Sequence, residues 1–164
     1  MRNKSGISLF AFILFVFFDF YSLGAGVIES LINYPSWLLF GESDGWISYR
    51  KLLGERIIPL LAVPALLLQT ISLIVLLIFR PKQIPAWSAW LALLFLLISV
   101  VSSFTVQIPI QFQLDQTYDA LKVERLITTD LWMRVIPESL CAFTTFYMLY
   151  CVAKSAFKKN NNTV

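Results

Sequence analysis

The sequence predicts an all-α protein: a four-helix transmembrane bundle with both termini on the cytoplasmic side. Three observations carry that expectation. Apolar residues make up 58% of the 164, where soluble chains hold roughly 45–50%. Charged residues are 14%, against roughly 25%. The apolar residues also gather into four runs, each near the roughly 20 residues that a helix needs to cross a hydrocarbon layer about 30 Å thick. The predicted spans are 7–28, 57–79, 87–106 and 131–153, within one integral membrane domain covering 1–164.

The first span is dense in Phe and holds one charge, Asp19. Its basic flank, apolar run and small residues Gly24 and Gly26 resemble a secretory signal. The run outlasts a typical signal core and contains Asp19, so the segment is expected to be retained. The second span is uncharged, with Pro59 and Pro64 loosening its first turns. The third is uncharged and ends in Ser99, Ser102, Ser103 and Thr105. The fourth carries Arg134 and Glu138. The first connection, 29–56, holds Tyr34, Trp37, Phe40, Trp46 and Tyr49, residue types that lie at the headgroup level, around a Gly41-Glu42-Ser43-Asp44-Gly45 turn. In the third connection Leu114, Tyr118, Leu121 and Arg125 recur at near-helical spacing with Asp115, Asp119 and Lys122 between them. That pattern predicts a short amphipathic helix on the outer face before the fourth span.

Basic residues set the orientation. Arg2, Lys4, Arg80, Lys82, Lys154, Lys158 and Lys159 lie in three short, acid-free segments flush with helix ends. Arg50, Lys51, Arg56, Lys122, Arg125 and Arg134 are diluted over the longer connections. The denser side is expected to be cytoplasmic, in a multi-pass protein of a cell membrane, the bacterial inner membrane. With no His, two Cys and a net charge of +3, the chain offers no imidazole metal site and no surface that tracks phosphates. No nucleic-acid partner is therefore expected, and no cofactor is assigned. Cys141 and Cys151 lie about 15 Å apart along one helix, beyond the reach of a disulfide, and form no C-x-x-C. Asn161-Asn162-Thr163 matches a glycosylation acceptor, unused on the cytoplasmic side.

Polar residues inside apolar helices are the candidates for chemistry, because a charge at mid-span costs roughly 2.5–3.5 kcal/mol and persists where it faces a partner. Asp19 lies about 18 Å from the cytoplasmic end of its helix. Asp19, Glu29, Arg56, Gln107, Gln111, Arg134 and Glu138 all fall in the outer half of the spans. Asp130, Arg134, Glu138, Cys141 and Thr145 share one face of the fourth helix. Arg134 can pair with Asp130 or with Glu138, and Pro137 frees the Met133 carbonyl one turn back. One reading is an outward-opening polar pocket around Arg134, Glu138, Asp19, Arg56 and Gln111. Arg134 would hold an anionic or carbonyl-bearing group, and Glu138 or Asp19 would act as acid or base. The candidate catalytic residues are then Arg134, Glu138 and Asp19; the candidate ligand-binding residues are Arg56, Gln107, Gln111, Asp130, Trp132 and Arg134. The other reading is an ion-pair network that fixes helix register and binds nothing. Gln69, Thr70, Ser72, Ser99, Ser102 and Ser103 are expected to glue helices together. Gly24 and Gly26 are expected to allow close helix approach.

The stretch Val106-Gln107-Ile108-Pro109-Ile110-Gln111-Phe112-Gln113-Leu114, followed by Thr129-Asp130-Leu131-Trp132-Met133-Arg134, resembles the anthrone-oxygenase-like family of small four-helix membrane proteins. Pro109, Leu114, Trp132 and Arg134 fit its pattern; Gln111 stands where that family shows Asn, and Asp130 is the nearest counterpart of a second Asn. The resemblance implies a cofactor-independent oxygenase of polycyclic phenols. Three functions stay open at this point. The leading one is a membrane protein that binds a small apolar or lipid-like ligand or serves as an accessory subunit. The others are the oxygenase, and a transporter or channel subunit that would require a homo-oligomer.

Overall fold

The structure is a computed structural model that describes residues 2–41 and 43–161, with the side chains of 6–41, 43–60 and 62–158. Glu42 of the first turn and Asn162-Thr163 of the glycosylation motif lie outside the described residues, as do the side chains of Arg2, Lys4 and Lys159. Every regular element among the described residues is helical. Four helices are long and apolar enough to cross a membrane: α1 (Gly6–Phe40), α2 (Trp46–Ile78), α3 (Ala86–Leu114) and α4 (Ala120–Lys158). Helical geometry reaches back to Arg2 before α1 and on to Asn161 after α4.

The helices outlast the apolar runs that announce them. The predicted first connection, 29–56, is helix almost throughout, and only the stretch from Gly41 to Gly45 separates α1 from α2. Gly41 makes that reversal with a φ of 61°, a conformation open to glycine and strained for other residues. The amphipathic helix expected before the fourth span is the first third of α4, continuous with it. Asp119 caps α4 by accepting from the Leu121 and Lys122 amides. No helix breaker separates Ala120 from the apolar run. The stripe that turns inward is Val123, Leu126 and Asp130, while Leu121 of the expected stripe is 76% exposed. Hydropathy reports where lipid would lie; backbone hydrogen bonding continues wherever nothing interrupts it.

Each long helix contains one π turn: Glu29–Asn33, Ile58–Ala62, Ser103–Gln107 and Leu131–Val135. In each case a proline stands two residues after the turn: Pro35, Pro64, Pro109 and Pro137. The cause is steric and electronic. A proline donates no hydrogen bond, and its ring collides with the carbonyl four residues back. Widening the preceding turn moves that carbonyl aside, and the residue just before the proline bonds five back instead of four. Tyr34, Val63, Ile108 and Ile136 donate to the carbonyls of Glu29, Ile58, Ser103 and Leu131.

Packing divides the bundle into two apolar cores. One gathers Phe12 and Phe15 of α1, Leu73 and Leu76 of α2, Ala89, Ala92 and Leu96 of α3, and Cys141 and Met148 of α4. Small residues on α3, among them Ser88, Ala89, Ala92 and Ser99, are fully covered and let α4 approach closely. The other core, beyond the π turns, is aromatic: Tyr34, Trp37 and Trp46 pack on Ile110, Leu114, Val123 and Leu126. Trp46 anchors α2 there by donating to the Leu114 carbonyl at 2.8 Å. The perimeter is apolar, with Phe10, Phe17, Leu60, Ile71, Trp90, Phe104 and Phe143 exposed. A continuous belt of this kind suits acyl chains and would drive association in water.

Candidate functional site

Between the two cores lies a polar layer to which all four helices contribute. On α1, Asp19 is buried and its Oδ1 accepts from the Gln69 amide of α2 at 2.9 Å. Cys141 and Thr145 of α4 adjoin the same carboxyl. One turn further along α4, Glu138 is buried and its Oε1 accepts from Ser99 of α3 at 2.9 Å. Its Oε2 rests on α1 at Gly26, where an added Cβ would stand only 2.9 Å away. Gly26 therefore provides the close approach expected of it, while a Cβ on Gly24 would meet nothing within 4 Å.

Arg134 faces the same layer. Its Nη2 donates to Asp130 Oδ2 at 3.1 Å, and its Nε lies 2.9 Å from Oδ1 as a charge contact off the hydrogen-bond line. Of the two carboxylates within reach in sequence, Asp130 takes the guanidinium; Glu138 stays outside ion-pair distance. Asp130 is fully buried beside Ser30. On α3, Gln107 is buried and accepts from Ser102 at 2.9 Å. Gln111 donates to the Tyr34 hydroxyl at 2.9 Å, tying α3 to α1. Asp19, Gln107, Asp130, Arg134 and Glu138 thus belong to one covered layer. Among the described residues no cluster of three or more Cys, Asp or Glu is arranged to hold a metal ion.

Two sequence-predicted residues lie elsewhere. Trp132 is 65% exposed on the apolar perimeter. It sits two positions from Asp130, which on a helix is the opposite face. Arg56 is exposed, with no ion pair or hydrogen bond to another described residue. Six residues beyond Arg50, it points about 240° around the helix from that side chain. A cavity of about 40 Å³ lies between α1 and α2, at their π turns and beyond, with the end of α3 as its back wall. Of the residues assigned to the expected pocket, Gln111 alone lines it.

Arg50, counted in the sequence only for orientation, builds that wall. It is buried, its Nε donates to Asp115 Oδ1 at 2.8 Å, and its Nη2 lies 2.6 Å from the same oxygen and donates to the Gln111 carbonyl at 3.3 Å. The guanidinium stacks over Trp37 at 4.4 Å, an attraction of a cation to the negative face of the ring. On the α1 side a relay runs from Trp37, which donates to the Tyr49 hydroxyl, to Asn33, whose Oδ1 accepts from Tyr49 at 3.1 Å. Asn33 in turn donates to Glu29 at 2.7 Å. Gly54, Ile57 and Ile58 form the α2 side, and a Cβ on Gly54 would meet open space. The signal for this site was present in the sequence: Trp46 and Arg50 are one helical turn apart, with Trp37 and Tyr49 at hand.

Compared with protein-family models, with curated proteins and with solved structures, the chain matches none.

Proposed function

We propose that this is a multi-pass protein of a cell membrane, both termini cytoplasmic, that binds the polar group of a small amphiphilic molecule in the crevice between α1 and α2. The carrying observation is the contrast across the crevice mouth. Its lining sets the charged and hydrogen-bonding Glu29, Asn33, Arg50, Gln111 and Asp115 against the apolar Leu53, Ile57 and Ile58, and Ile58 is exposed. A ligand with a polar head and an apolar tail satisfies both surfaces at once. The test is mass spectrometry of small molecules that stay bound through mild detergent extraction, with Gly54→Leu as the filled-crevice control. A molecule retained by the native protein and lost from the variant supports the reading; equal retention by both overturns it.

Gln111 favours a second reading. It lines the crevice at the position where the anthrone-oxygenase-like pattern has Asn, and would hydrogen-bond the oxygen of an anthrone lying across the mouth, its rings outside the cavity of about 40 Å³. Oxygen uptake by purified membranes with an anthrone, abolished by Gln111→Leu, supports this reading; no uptake above that of empty membranes removes it.

A further inference from the structure

Resting on the reading that the crevice is a binding site, we propose that it selects a primary ammonium group carried on an apolar tail, as in a phospholipid with an ethanolamine head. Charge is the first argument. Glu29 and Asp115 stand at the crevice with a single cation, Arg50, so one carboxylate is left over. Arg50 is committed to Asp115, to the Gln111 carbonyl and to the Trp37 ring. The carboxylate without an ion-pair partner is therefore Glu29, which among the described residues has one amide donor, Asn33, and meets the Arg134 charge only at longer range.

Hydrogen bonding is the second argument. An ammonium has three donors and no acceptor. Gln111 turns its amide nitrogen to the Tyr34 hydroxyl, which leaves its oxygen available as a second acceptor beside Glu29. A head of net negative charge would bring a third negative charge beside Glu29 and Asp115, with no ammonium to offset it. Quaternary ammonium heads carry the right charge but donate nothing. Size agrees: about 40 Å³ holds roughly three water-sized groups, enough for an ammonium and two methylenes and too little for three additional methyls. The apolar residues beside the mouth would receive the tail.

The test is native mass spectrometry of the full chain in detergent micelles. The probes are dihexanoyl phosphatidylethanolamine, phosphatidylcholine and phosphatidylglycerol, with free ethanolamine as competitor. The ethanolamine lipid is expected to bind at least about tenfold more tightly than either other lipid, and Glu29→Gln to erase that preference while melting at the native temperature. If the variant melts early, the native ranking alone decides. Free ethanolamine that competes at equal concentration identifies a soluble amine as the ligand; failure to compete identifies the lipid, and both outcomes support ammonium recognition. Equal binding of all three lipids, or preference for phosphatidylglycerol, overturns the ammonium assignment. If Gly54→Leu then abolishes that binding, the crevice stands as a site of other specificity. If Gly54→Leu changes no binding, the crevice reading falls as well.

Discussion

Among the described residues the bundle contains two arginine–aspartate pairs built in opposite senses. In the polar layer the acid is the covered partner: the Asp130 side chain is 0% exposed and that of Arg134 17%. At the crevice the base is covered, with Arg50 at 5% and Asp115 at 43%. The first pair spans one turn of one helix. The second joins residues 65 apart and holds α2 against α3. Identical chemistry thus has different consequences. Removing a cation strands a carboxylate in the layer, whereas at the crevice it leaves a carboxylate that water already reaches.

The largest expected effect follows directly. Arg134→Met should lower unfolding free energy by about 3–5 kcal/mol, the range for a buried pair that loses one partner. Circular dichroism through a dodecyl sulfate titration in mixed micelles reads it, and a loss below about 1 kcal/mol would make the layer far wetter than its burial implies. Arg50→Met should cost less, about 1–2 kcal/mol, for the Trp37 stacking and the α2–α3 tie. If the two costs came out equal, the distinction between the pairs would fail. Smaller again, Gly26→Ala should destabilise by about 1 kcal/mol as the Glu138 carboxyl is displaced, while Gly24→Ala should stabilise by up to about 0.5–1 kcal/mol through helix propensity alone. Opposite signs in the same titration are the expected result. Least affected is Gly54→Leu, which should be neutral or stabilising by at most about 1 kcal/mol, because the new side chain enters open space. A marked loss of stability there would mean that the crevice cannot be filled.

Much of the fold was legible because apolar runs long enough for a membrane have few alternatives, and the inward face of α4 followed from the spacing of Asp130, Arg134, Glu138, Cys141 and Thr145. The choice between Asp130 and Glu138 as the partner of Arg134 was not legible, since it depends on Gly26 and Ser99 engaging Glu138 from other helices. Arg50 escaped notice for a related reason. In a segment read as a connection, a basic residue counts only toward orientation; its partners Asp115 and Trp37 become visible once α1, α2 and α3 are seen to continue past the apolar runs. Arg56 was named for its depth in the membrane and Trp132 for its fit to the family pattern, and neither signal tells which way round a helix a side chain points; both are exposed.

The four widened turns bear on how this chain can change length. Each accommodates one residue more than an α-helical turn would, at nearly the same level in every long helix. Deleting one residue inside such a turn, together with replacing the proline that follows, would restore ordinary helical winding without rotating the segments on either side out of phase. Single-residue gaps combined with loss of the following proline are therefore expected to be tolerated at these four places, and gaps elsewhere in the helices to be disruptive, where the deletion turns every downstream side chain by about 100°.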